Sequence, residues 1–217
     1  MSILLYAISR DDARAPAAKE LQEICSAGLR ALAEPVQEPL TADLEELVHY
    51  EETVEAVMQR HTILPMRFGS VVDDEQEVRE LLKARAREFA TALAQLDGAV
   101  EFGVQASMTI DSGPAGARGS AAPGPGESYM RARLREQQCR HDLQTWLDAE
   151  LDGLVRRSVY RVTPVSGAGS ISAAYLVDRA GADEFLQRVE QLEATAGHTL
   201  SWSGPWPPYT FVEELQR

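Results

Sequence analysis

The sequence predicts an α+β protein of two domains, and three observations carry that reading. Short apolar runs of strand length alternate with segments whose apolar residues recur every three or four positions. Residues 111–126, DSGPAGARGSAAPGPG, lack side chains for a packed face and read as a flexible loop. After Ala99 the elements follow the order βαββαβ, the ferredoxin-like arrangement.

In the first half, Ile3–Ser9 is short, apolar and followed by Arg10-Asp11-Asp12, as a buried strand should be. Leu29–Val36 fits either a strand, from its alternation after Gly28, or a helix, from its Ala and Leu content. From Asp43 to Gln59 a helical stripe runs through Leu44, Leu47, Val48, Val54, Val57 and Met58, with Thr41 or Asp43 as N-cap. Thr62–Val72 breaks that period, and Pro65 places the run at a sheet edge or bulge. Asp73 or Asp74 then caps one helix whose Val78, Leu81, Leu82, Phe89, Leu93 and Leu96 share a face, and Gly98 ends it.

In the second half, Ala99–Met108 reads as a strand and Ser128–Leu154 as a long helix. Ser158–Val165 and Ile171–Val177 read as strands around a turn at Gly167–Gly169. Ala182–Ala196 reads as a helix with Phe185, Val189 and Leu192 in line, and Thr199–Ser203 as the last strand. The domains are therefore expected at 1–98 and 99–203, with a tail at 204–217.

Composition narrows the function. At 44% hydrophobic and 25% charged residues, the chain reads as an ordinary globular protein. Its longest apolar runs fall far short of the ~20 residues that cross a bilayer, and no signal-peptide pattern opens it, so a cytoplasmic location is expected. A net charge of −13 repels phosphate backbones and anionic lipid, which argues against nucleic-acid or membrane partners. Cys25 and Cys139 lack metal spacing and read as reduced thiols.

Three stretches resemble the GvpF/GvpL family of gas vesicle accessory proteins. They are ILLYAIS at Ile3–Ser9; TILPMRFGSVV at Thr62–Val72, with its Pro65, Arg67, Phe68 and Gly69, followed by EFGV at Glu101–Val104; and ISAAYLV at Ile171–Val177 with GPWPPYTF at Gly204–Phe211. Three prolines, Trp206 and Tyr209 within eight residues make the last of these the most specific. The resemblance implies a distinctive N-terminal domain, a modified ferredoxin-like C-terminal domain, and an extended tail that reaches back to the first. It also implies a minor component of gas vesicle formation that binds the shell protein GvpA and other accessory proteins.

Two clusters are candidate partner-binding or interdomain sites. In the first, Pro65, Arg67, Phe68 and Gly69 set a cation beside an aromatic at a bend. Arg67 either recognises a partner's carboxylate or carbonyl, or makes an internal ion pair while Phe68 packs inward and Gly69 permits a bulge. In the second, Trp206, Pro207, Pro208, Tyr209 and Phe211 combine a preorganised extended chain with large apolar contact area, as a partner motif or as an internal strap.

No catalytic, cofactor or metal residues are expected. His49, His61, His141 and His198 lack zinc spacing, the acidic clusters lack a calcium-loop pattern, and no nucleophile elbow or phosphate loop occurs. Arg131, Arg133, Arg135 and Arg140 cluster on the long helix without an aromatic platform for RNA. The alternative reading is a ferredoxin-like protein that binds or transforms a small molecule, which a polar-lined pocket with perturbed ionisation would favour.

Overall fold

The computed structural model describes residues 2–11, 21–36, 43–109, 124–161, 168–195 and 199–215. It is an α+β structure whose chain divides into two compact units, Met1–Glu101 with Pro205–Arg217, and Phe102–Gly204.

The first unit is organised on β1 (Ser2–Arg10), whose Ile3 to Ser9 are all buried, as expected of a strand covered on both faces. Leu29–Val36 resolves as a strand, β3, antiparallel to β1. Beyond it lies β2 (Gln22–Ser26), which the sequence reading did not anticipate. A two-residue turn at Ala27-Gly28 joins β2 to β3, and both residues have positive φ, 55° and 76°. That is the mirror-image hairpin turn matched to strand twist, and an alanine in its first place hides it from view.

Helix α1 (Leu44–Met58) starts where Asp43 accepts the backbone N–H of Glu46 at 2.9 Å, and it buries Tyr50, Val54, Val57 and Met58. Asp74 caps α2 (Glu75–Ala84) in the same way, through the N–H of Glu77. The single helix expected up to Gly98 is instead two, α2 and α3 (Ala86–Gln95), because Arg85 leaves helical geometry at φ −109°, ψ 17°. Arg85 pairs with Glu88 and lies 4.7 Å from the Phe89 ring centre, so side-chain contacts support the break. The apolar stripe continues across it through Val78, Leu82, Phe89 and Leu93, and this is why periodicity alone reads one helix.

In the second unit the elements run β6 (Ala99–Thr109), α4 (Pro125–Glu150), β7 (Arg157–Arg161), β8 (Ala168–Asp178), α5 (Ala182–Thr195) and β9 (Thr199–Trp206). The sheet order is β7-β8-β6-β9, with β7 and β8 antiparallel. Phe102, Leu143, Leu147, Tyr175 and Phe185 fill the core, and the Phe102 and Phe185 rings stack at 5.1 Å. The Tyr160 hydroxyl donates to Asp148 Oδ1 at 2.6 Å and lies 3.0 Å from the hydroxyl of Tyr175, which burial pushes up to about 12. A Cβ on Gly103 would stand 2.9 Å from Ser203 Oγ, so a larger residue there would require the Ser203 side chain to turn away.

Several boundaries differ from expectation. Helix α4 opens at Pro125, inside the Gly/Pro-rich stretch, since proline needs no N–H in a first helical turn; residues 111–123 lie outside the described residues. β8 already includes Ala168 and Gly169 of the expected Gly167–Gly169 turn, while residues 162–167, with the end of the expected Ser158–Val165 strand, lie outside the described residues. His198 is also outside them. β9 continues past Ser203 to Trp206, and the tail is not extended thereafter, because α6 (Tyr209–Leu215) follows.

Candidate functional site

The Pro65 cluster sits on the open side of β1. Two short strands pair with β1 there: β4 (Leu64–Pro65) opposite Ile8 and Ala7, and β5 (Val71–Val72) opposite Leu4 and Ile3. Between these pairings, Met66 to Ser70 run opposite Leu5 and Tyr6 alone, so the edge bulges outward by three residues, five against two. Pro65 is tolerated because this is an edge. The Ser70 N–H donates to the Arg67 carbonyl at 3.0 Å, and Gly69, at φ 85°, holds the positive-φ place of that turn.

Tyr50, from α1, anchors the bulge from beneath. Its hydroxyl is 2.9 Å from the Leu5 carbonyl and 2.8 Å from that of Met66, and burial holds its ionisation far above the ordinary tyrosine range. Its ring stacks on Tyr6 at 4.6 Å and receives the edge of half-buried Phe68 at 5.3 Å. Arg67 turns outward, its side chain 72% exposed, and pairs with Glu213 of α6 at 2.5 Å. Solvent screens a pair this exposed, so it orients more than it stabilises.

The tail supplies the other half of the site, within the same unit. Pro207 and Pro208 are buried and lead into α6, where a helix start leaves backbone donors unused and proline loses nothing. Phe211 is fully buried and Val212 nearly so. Thr210 donates both its N–H (2.9 Å) and its hydroxyl (2.7 Å) to the carboxylate of Glu101, itself only 9% exposed. The Tyr209 hydroxyl lies 3.3 and 3.4 Å from the two carboxylate oxygens of Glu51. Burial raises the Glu51 carboxyl above its ordinary value; the Tyr209 hydrogen bond opposes that and neighbouring Glu55 reinforces it.

Of the nine candidate residues, Pro65, Pro207, Pro208 and Phe211 are buried, Phe68 and Tyr209 are half-buried, and Arg67, Gly69 and Trp206 are exposed. The Arg67–Glu213 pair links the two clusters. Sequence reading missed Tyr50, Glu51, Glu101, Thr210 and Glu213. The i,i+4 pair Phe211 and Leu215 was the signal for α6, masked by the prolines before it. Chemically, these carboxylates serve as hydrogen-bond and ion-pair acceptors for the tail. Among the described residues, no cluster of three or more His, Cys, Asp or Glu is placed to hold a metal, and no helix is long and apolar enough to cross a membrane.

Comparison with known proteins matches this architecture throughout. The chain is 31% identical over 200 residues to gas vesicle protein L of Streptomyces sp. (strain CB03234), covering 80% of this chain and 74% of that one. Gas vesicle protein F of the same organism is 28% identical over 207 residues, covering 85% and 84%. Among solved structures, GvpF from Microcystis aeruginosa superposes with a TM-score of 0.77 at 20% identity, over 97% of this chain and 98% of that one. GvpF from Anabaena sp. PCC7120 gives 0.76 at 21%, over 97% and 95%. The family model described as "Gas vesicle synthesis protein GvpL/GvpF" matches residues 2–213. With the bulge, the prolines that lead the tail and nearly the whole chain inside that match, the chain belongs to the GvpL/GvpF family of gas vesicle synthesis proteins.

Proposed function

We propose that this gas vesicle protein binds the shell protein GvpA, limits its aggregation during vesicle formation, and catalyses nothing. Other accessory proteins are its further partners, and its place is the cytoplasm at the vesicle. The observation that carries this reading is Trp206, which stays 43% exposed although the tail around it is docked and the chain is strongly acidic. A large aromatic left in water and an outward-facing Arg67 in the same unit fit a mixed apolar and charged contact, with aromatic and arginine anchors. In this division of labour Pro65, Gly69, Pro207, Pro208, Tyr209 and Phe211 hold the surface in place. Arg67, Phe68 and Trp206 meet the partner.

We read the chain as an N-terminal α+β domain (1–98), a modified ferredoxin-like domain (99–203) and a tail (204–217) that packs on the first. The βαββαβ order and the β7-β8-β6-β9 sheet support the ferredoxin-like reading, and the grouping of 205–217 with the first unit supports the docked tail. Apolar coverage keeps partner surface from water while the −13 net charge keeps complexes apart.

The test is co-expression with GvpA followed by pull-down. Binding should survive about 1 M salt, where the Debye length shrinks to about 3 Å, and should fall on Trp206→Asp. Absence of binding at low salt, or binding that Trp206→Asp leaves untouched, ends the assignment of this surface.

A further inference from the structure

Helix α4 begins with ten consecutive exposed residues, Gly126 to Arg135. Three are large and apolar: Tyr129, Met130 and Leu134, at 62%, 59% and 61% exposure. So short a helical stretch is marginal in water by itself, and an apolar row on its outside calls for a cover. Its charge also runs against the chain. Residues 126–140 hold four arginines (131, 133, 135, 140) and two glutamates (127, 136), a balance of +2 within a chain of −13. Helical spacing puts Met130 and Leu134 in one row and Arg131 and Arg135 in the next. Arg131 pairs with Glu127 at 2.5 Å, while Arg133 and Arg135 have no ion-pair partner among the described residues.

The complement of that surface is on α1. Leu44, Leu47 and Val48 are exposed at 76%, 41% and 46%, although the same helix buries Tyr50, Val54 and Val57 further on. Asp43 to Met58 contain six acidic residues and no lysine or arginine. Exposed Glu45 and Glu52 flank Val48 at three and four residues' distance, and neither has an ion-pair partner among the described residues. The two surfaces also match in length: ten and nine residues rise about 15 Å and about 13 Å.

The geometry points to a second copy of this chain as the occupant. The first half of α4 of one copy lies along the first half of α1 of the next, Met130 and Leu134 against Leu44 and Val48, and Arg131, Arg133 and Arg135 against Glu45 and Glu52. Each copy carries both surfaces, so the contact pairs unlike surfaces of two copies. Two copies that use both contacts reciprocally close a dimer, and copies that each engage a different neighbour build a chain.

Sedimentation velocity on the full chain across a concentration series at low salt tests this. The expected result is a weight-average mass that climbs above that of the monomer. The triple variant R131E/R133E/R135E and the double variant E45R/E52R should each lose association by about tenfold or more, as several screened pairs turn repulsive. All five sites are exposed, so circular dichroism should show both variants folded. Mixed together, they should associate again, because reversed α4 then meets reversed α1. A wild type that stays monomeric throughout, or a mixture that fails to regain mass, overturns the proposal.

Discussion

Among the described residues, the C-terminal helix α6 and the longest helix α4 are opposites. Helix α6 has seven residues, too few to be helical alone, yet it is held by fully buried Phe211 and by the Thr210–Glu101 hydrogen bonds. Helix α4 has 26 residues, yet its first turns touch little and its burial begins only near Leu143. Length does not decide which helix is secure. Tertiary burial and satisfied polar groups do, so the shorter element should resist perturbation as part of its unit while the longer one frays from its N-terminal end.

Phe211→Ala is the strongest way to break this contrast. Removing a fully buried phenylalanine should cost about 3–5 kcal/mol, read as a large drop in thermal or denaturant midpoint. A loss near zero would mean that α6 is not docked in solution. Thr210→Val comes next. It keeps the shape but deletes the hydroxyl that Glu101 accepts, and should cost about 1–3 kcal/mol in the same measurement.

Glu51 sharpens the comparison through pH. Its folded carboxyl is raised above the 4.5 reference, so the folded state binds its proton more tightly than the unfolded state does. The stabilisation this gives is full below the reference value and is lost as pH rises through the raised folded value. Glu51→Gln, which can still accept from Tyr209, should therefore gain on the wild type as pH climbs above 4.5 toward neutrality, with the gap visible in paired denaturant titrations. A constant offset at every pH would show that Glu51 ionises as if in water.

The smallest effect belongs to α4. In dilute solution Leu134→Asp should change stability by less than about 0.5 kcal/mol, as for a surface site, and amides 126–135 should exchange hydrogen faster than those around Leu143 and Leu147. Slow exchange throughout α4 at low concentration would erase the distinction between the two helices.

What was legible in the sequence tracks how local the signal is. β1 announces itself by unbroken apolar residues, and α1 and α2 by a stripe and a capping aspartate, since these depend on residues a few positions apart. The β2–β3 hairpin was half visible because Ala27 takes a backbone conformation usually left to glycine or asparagine. The Pro65 bend was legible as an edge, but not the Tyr50 anchor, whose hydroxyl serves Leu5, 45 residues away, and Met66, 16 residues away. Likewise the Glu101–Thr210 contact spans 109 residues, and nothing local in EFGV marks its glutamate for that use. Proline clusters conceal as well as reveal: Pro207-Pro208 reads as extended chain, yet proline is equally suited to precede a helix.

That the first unit is assembled from both ends of the chain, Met1–Glu101 and Pro205–Arg217, has a consequence for synthesis. As the polypeptide leaves the ribosome, residues 102–204 are all present before the first residue of the closing tail exists. The unit begun before Phe102 is thus completed only after Gly204 has been made. Until then Glu101 lacks the two Thr210 donors and the site that receives Phe211 stays unfilled. Translation itself therefore sets a delay, during which the early product has apolar surface that only its own final helix covers.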